Sequence, residues 1–475
     1  MSQVLYPNVD LFLYDLHDGL GVSRGQLGQS RRRFWQRIYG NGRLTDAKLA
    51  ELQSTEKSFS GYVELLGSER FEDFSDDLEG YYYPVKLGDT YALQVNCAGK
   101  KDTAWEALPL VTKLRQTKKI VLEHTQNIPG GIGQNWLVWA QLTEPHQDPV
   151  EVAKDCCTAL DVIPSANWQF DLKGKGSHQE AMLFEFERRD EILDGSNDNR
   201  YVLVCLFPHY FSQDEIAEFL NQFYRDLIYL FYYRNKILWA YEQSCQIKDK
   251  LKDCSGVIQK IIKSLPTYVA ASSLDLKQLQ IDLSTALQVS HLYETSLGYL
   301  QDHLFTIKIN TGNYSDRILE LAKLDTDKDA ERAREKLSDP DSLGFLKRFG
   351  DFAERNCLGQ IQVDYEALSA GLKPLDNFIR AVEGITEIEK AKNERTFNRT
   401  VAAASVGISA ASLFASSYTG QAAEIVQTVL PVPANTPPPA INTLLTFGSA
   451  FVGSLLFGIC GAVATWYLSN RIKRS

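Results

Sequence analysis

What the C-terminal part of this 475-residue chain lacks is charge. From Thr400 to Asn470 the one charged residue is Glu424. The first 398 residues carry 46 Lys+Arg against 59 Asp+Glu, a net of −13, while the remainder carries 4 against 1, a net of +3. The overall −10 thus averages an acidic body with an apolar tail, and it speaks against a wholly soluble chain. Other absences narrow the field further. The eight cysteines form no CxxC pair, which points to reduced core thiols and not to a disulfide framework or a zinc ribbon. The first 25 residues have no basic leader and carry Asp10, Asp15 and Asp18, so they do not read as a signal peptide. Seven histidines show neither HxxxH nor HExxH spacing, and no nucleophile motif is legible; the expectation is a protein that is not an enzyme. An acidic body also argues against nucleic acid as a partner.

The tail reads as a membrane hairpin. About 20 residues cross a hydrocarbon core, and residues 441–468 form an uncharged run followed by Arg471, Lys473 and Arg474. Residues 400–419 are richer in Ala and Ser. Ala403, Gly407, Ala411 and Ala415 recur every fourth residue, the small-xxx-small spacing of close helix packing. Ser405, Ser409, Ser412 and Ser416, continued by Thr419, form a polar stripe that suits either a water-filled pore or hydroxyls bonded back to their own helix. Basic residues flank both spans, which puts both termini in the cytoplasm and the Pro-rich loop 420–440 outside, in a multi-pass protein of the cell (inner) membrane. Glu424 then lies in the external loop, at the mouth if the protein is a ring and otherwise a solvated loop residue, with Tyr418 and Gly420 before it at the outer end of the first span.

Upstream the expected order is a mixed α/β (α+β) cytosolic domain over 1–210, a helical stalk over 211–398, the hairpin over 399–470 and a basic tail over 471–475. Strand patterns fall at 80–97, 118–125, 135–143, 167–173, 180–188 and 200–208. Helical patterns fall at 26–40, 104–116 and 149–160. Ser212 and Glu215 make a capping box before a long aromatic-rich helix, expected to end near Ile262 because of Pro266. Heptad spacing runs from Leu276 to Leu304 and from Ile361 to Val382, the latter interrupted at Gly371 and Pro374, so that coiled-coil or antiparallel packing follows. Gly130-Gly131-Ile132-Gly133 and Gly174-Lys175-Gly176-Ser177 read as hairpin turns, and Asp325, Asp327 and Asp329 as an acid-rich helix start.

Two clusters invite a ligand. Arg31, Arg32, Arg33 and Arg37 interleave with Phe34, Trp35 and Tyr39, a mix able to hold a signalling nucleotide or another anion, or else a solvated face. Glu69, Glu72, Asp73, Asp76, Asp77 and Glu79 could hold a divalent cation, or simply coat a loop.

The plan resembles the CorA superfamily of divalent-cation channels. The resemblance rests on the approach from Asp376 through Arg399 into residues 401–419 and on the final Asn470-Arg-Ile-Lys-Arg-Ser475, although Ser416-Ser-Tyr-Thr-Gly-Gln421 stands where that family has Gly-Met-Asn. It implies a homopentamer in membrane lipid whose first span lines the pore with Ser405, Ser409, Ser412, Ser416 and Thr419, with Mg2+ or a similar ion as cargo or regulator. A membrane effector switched by a nucleotide, and a membrane-anchored scaffold, are the other readings.

Overall fold

The computed structural model describes residues 3–392, apart from 20–21, 57–60, 76, 100–102, 165, 190–198, 271–275 and 333–342. The expected hairpin at 399–470, with the expected pore stripe and external mouth, lies outside the described residues, as do Asp76 and the expected basic tail. No helix among the described residues is long and apolar enough to cross a membrane.

The chain opens with β1 (Val4–Leu16), then α1 (Arg24–Arg43), α2 (Asp46–Glu56), β2 (Tyr62–Glu64), β3 (Glu72–Ser75), β4 (Glu79–Leu87) and β5 (Thr90–Ala98). A short α3 (Thr103–Glu106) and α4 (Leu110–His124) lead to β6 (Gly133–Leu142), α5 (Pro149–Leu160), the single turn α6 (Trp168–Asp171), β7 (Leu172–His178), β8 (Ala181–Arg189) and β9 (Asn199–Phe207). These nine strands make one sheet, ordered β2-β4-β5-β1-β6-β9-β8-β7, with β3 beside β2 on the outer edge of β4. Every pair is antiparallel except β6 with β9. A mixed α/β sheet domain followed by long helices is therefore the architecture.

The central strand shows why the sheet is covered on both faces. Along β1, Val9, Leu11 and Leu13 join Phe34, Trp35, Leu114 and Val152 in one core. The alternate residues Asp10, Phe12 and Tyr14 are equally buried and meet a different element. That element is α7 (Gln213–Ala270), which begins at the expected capping box: the Glu215 amide donates to Ser212 Oγ at 3.3 Å and the Ser212 amide to Glu215 Oε2 at 2.9 Å. Phe12 packs edge-on against Phe231, and the Tyr14 hydroxyl donates to the Ile228 carbonyl at 2.9 Å. The order helix, sheet, helix is a three-layer sandwich.

Two further long stretches follow, α8 (Leu276–Arg332) and the run α9 (Gly344–Phe352), a π-type turn (Ala353–Leu358), α10 (Gly359–Ser369) and α11 (Leu372–Lys392). The described chain divides into two compact units, 1–257 with 289–371, and 258–288 with 372 onward. In the first, Lys248 pairs with Asp364 at 2.7 Å and Arg317 with Asp226 at 3.0 Å. In the second, Ser264 bonds Asp282, and Leu279, Phe378, Ile379 and Val382 are buried.

Several expectations are corrected. Residues 118–125 continue α4, because Leu110, Leu114, Thr117 and Val121 face inward at helical spacing, and this outweighs the local alternation. Residues 167–171 form the turn α6, tied by the Asn167 amide to Asp171 Oδ2 at 2.6 Å. Gly130–Gly133 joins α4 to β6 and is no hairpin. Gly174–Ser177 lies inside β7, where a Cβ on Gly174 would stand 2.4 Å from Cβ of Phe345; the glycine admits a neighbouring helix. Pro266 sits within α7, where a long helix tolerates the loss of one backbone bond. Asp325, Asp327 and Asp329 fall in the last turns of α8 and not at a helix start. The interrupted second heptad is two helices, α10 and α11. All seven described cysteines are free, six of them buried.

Since Leu13 is fully buried in the central strand, truncation to Ala should lower the unfolding free energy by about 2–5 kcal/mol in urea titrations. A loss below about 1 kcal/mol would contradict the central placing of β1.

Candidate functional site

The face of the sheet beneath α7 is unusually polar for a buried surface. Asn8 and Asp10 on β1, Gln94 and Asn96 on β5 and Asn135 on β6 all lie within it. Buried polar groups must find partners, and here they find one another and the helix. Asp10 Oδ1 accepts from Gln94 Nε2 and Asn96 Nδ2, each at 2.8 Å, and its Oδ2 accepts from the Tyr224 hydroxyl at 2.9 Å. The Tyr224 oxygen in turn accepts from Trp139 Nε1 at 3.0 Å. All these donors are neutral, so burial raises the Asp10 pKa to about 6 despite three hydrogen bonds that pull it the other way.

Further along α7 the same pattern repeats. Asn235 donates to Asn135 Oδ1, and its amide packs so close to Gly133 that a Cβ there would come within 2.4 Å of Asn235 Oδ1. Arg234, wholly buried, pairs with Glu187 on β8 and lies between the rings of Tyr201 at 4.4 Å and Phe349 at 4.1 Å. Lys236 Nζ reaches Asp89 Oδ2 at 2.7 Å in the β4–β5 turn, and the Asp89 carbonyl accepts the amides of His17 and Asp18 at the end of β1. From Tyr224 to Lys236 the helix is thus fastened to β1, β5, β6, β8 and β9 and to one hairpin tip. This seam is a mechanical coupling, since moving α7 along the sheet would part Tyr224 from Asp10, Arg234 from Glu187 and Asn235 from Asn135.

The arginine cluster has a different role from the one its composition suggests. Arg37 is fully buried, pairs with Asp15 and donates to the Ile128 carbonyl at 3.0 Å. Arg33 bonds the other Asp15 oxygen at 2.9 Å, as does the Gly131 amide. Arg31 pairs with Glu56 at 2.8 Å, and Trp35 Nε1 donates to the same carboxylate. Arg32 meets Asp46 at the surface. The four guanidinium groups therefore tie α1 to β1, α2 and the Gly130–Gly133 loop, and Trp35 is core. Gly131 has no room for a side chain because its Cβ would stand 2.1 Å from Arg33.

The acidic residues lie at the sheet edge: Glu69 in a 3-10 turn, Glu72 and Asp73 on β3, Glu79 opening β4. Among the described residues no group of three or more His, Cys, Asp or Glu side chains is arranged to hold a metal ion. An open cavity of about 320 Å³ between α4 and α5 has Arg115, Lys118 and Lys119 on its rim, balanced by Glu123 and by the Asp161 carbonyl that accepts from Lys118 at 2.7 Å.

Asp10 gives no sign of its role beneath α7 in the sequence, because a lone carboxylate in an apolar strand carries no spacing signal. Since the folded domain holds the Asp10 proton more tightly than the unfolded chain does, this residue's contribution to stability falls as pH rises from about 4 to 6. The difference between 3.8 and about 6 corresponds to roughly 3 kcal/mol. Asp10→Asn should flatten that part of the stability profile measured by denaturation between pH 4 and 8; an unchanged slope would mean that Asp10 does not titrate there. No family model, no curated protein and no solved structure matches the chain.

Proposed function

We propose that the chain is a CorA-like oligomeric membrane protein, a cation channel or transporter gated by its cytosolic sheet domain. The observation that carries this reading is the partition of charge, an acidic body of net −13 joined to a 71-residue stretch, Thr400 to Asn470, with Glu424 as its one charge. Beneath a pore, such a body would concentrate cations at the inner mouth. Ser405, Ser409, Ser412, Ser416 and Thr419 would line the pore, and Tyr418, Gly420 and Glu424 would stand at its outer end. Mg2+ or a similar divalent ion is the candidate cargo or regulator, and five copies the candidate assembly.

The seam supports gating. A ligand, an ion or a proton that alters the sheet acts on α7 through buried contacts that tolerate no slippage, and the helical segments that follow α7 lead along the chain toward the hairpin. The effector reading, in which a nucleotide meets Arg31 to Arg37, has less support, because those guanidinium groups are already engaged with Glu56, Asp46 and Asp15.

Full-length protein in liposomes should pass divalent cations, and Ser409→Leu or Ser412→Leu should abolish the flux while leaving expression and assembly intact. Flux that survives both substitutions would sink the pore assignment. Imaging in detergent should show five-fold symmetry, and a monomer would favour the anchored scaffold.

A further inference from the structure

The outward face of α8 in the first unit sets large apolar side chains among its charged ones. Phe305, Ile309 and Leu319 are 40%, 60% and 51% exposed. Phe305, Gly312 and Leu319 are seven residues apart, so at about 100° per residue they lie within roughly 20° of a single line along the helix. A 3.5-residue repeat is the signature of a surface that meets another helix. Gly312 sits at the middle of that line with nothing within 4 Å of where its Cβ would be, so the surface is open there and a second backbone can approach closely. The opposite stripe, with Tyr293, Leu300, Ile307, Tyr314 and Leu321, is already buried.

The flanking charges decide what the second helix is. Lys308 and Asp316 are exposed, stand four residues before and after Gly312, and lie about 40° to either side of the line. A parallel copy of α8 would bring Lys308 level with Lys308 and Asp316 level with Asp316. An antiparallel copy centred on Gly312 brings Lys308 level with Asp316 twice and Phe305 level with Leu319 twice. Such self-complementarity is what a two-fold contact requires.

We propose that α8 is a self-association surface, on which a second copy of this chain packs antiparallel about a two-fold axis at Gly312. The contact goes beyond the channel reading, because a two-fold pairing cannot close a ring of five and joins copies that the ring leaves apart. Three apolar side chains per copy make a small interface, suited to a reversible association.

Gly312→Cys in the full-length protein in detergent tests the contact, since the proposed axis places residue 312 against itself, and charge exchange at Lys308 and Asp316 separates the antiparallel pair from a parallel or ring contact. Under mild oxidation the variant should give a reducible dimer well above the background that the native cysteines produce in the unmodified chain. Lys308→Asp or Asp316→Lys, each added to Gly312→Cys, should lower the dimer yield about fivefold at low salt, and the two together should restore it. A yield no higher than background, single charge changes without effect, or failure of the double change to restore the dimer would each overturn the proposal. Flux through the hairpin is read separately, so loss of the cross-link with flux intact overturns the pairing alone.

Discussion

The structure depends on a carboxylate that has no cation. Asp10 sits in the central strand of a nine-stranded sheet, and its charge is held by two amides of the neighbouring strand and one hydroxyl of the helix that crosses the sheet. Hydrogen bonds to an ionised group are worth about 1.5–3 kcal/mol each, but burial takes much of that back. The value of the arrangement is specificity: Asn8, Gln94, Asn96 and Asp10 satisfy one another within the sheet, and in one register of helix on sheet the Tyr224 hydroxyl completes the set by bonding Asp10 and Trp139.

On the other face of the sheet the fastening is ionic. Asp15 gathers two guanidinium groups and a backbone amide, and Glu56 gathers Arg31 and the Trp35 indole. Beneath α7 ion pairs also occur, Arg234 with Glu187 and Lys236 with Asp89, but Asp10 is held there by neutral donors alone.

Much of this was legible from residue order. The Ser212 capping box, the helix at 149–160 and the two long helical stretches follow from spacing and caps, which are local signals. β1 gives no strand signal, because both of its faces are buried and each carries a carboxylate, Asp10 on one and Asp15 on the other, so neither reads as polar or apolar. Residues 118–125 were misread for the opposite reason, since Ile120, Val121 and Leu122 favour a strand locally while Leu114 and Val121 meet the core only as a helix. The glycines at 131, 133 and 174 look like turns in sequence. Each is instead a place where a side chain from a distant element comes too near for a Cβ.

The position of β1 also governs how the body is made. β1 pairs with β5 and β6, which follow it by about 80 and 130 residues, and β6 pairs with β9 about 66 residues further on. Pairing of that range is slow. The helix that covers the polar face follows all nine described strands in the chain, so the sheet is complete in sequence before its cover is made.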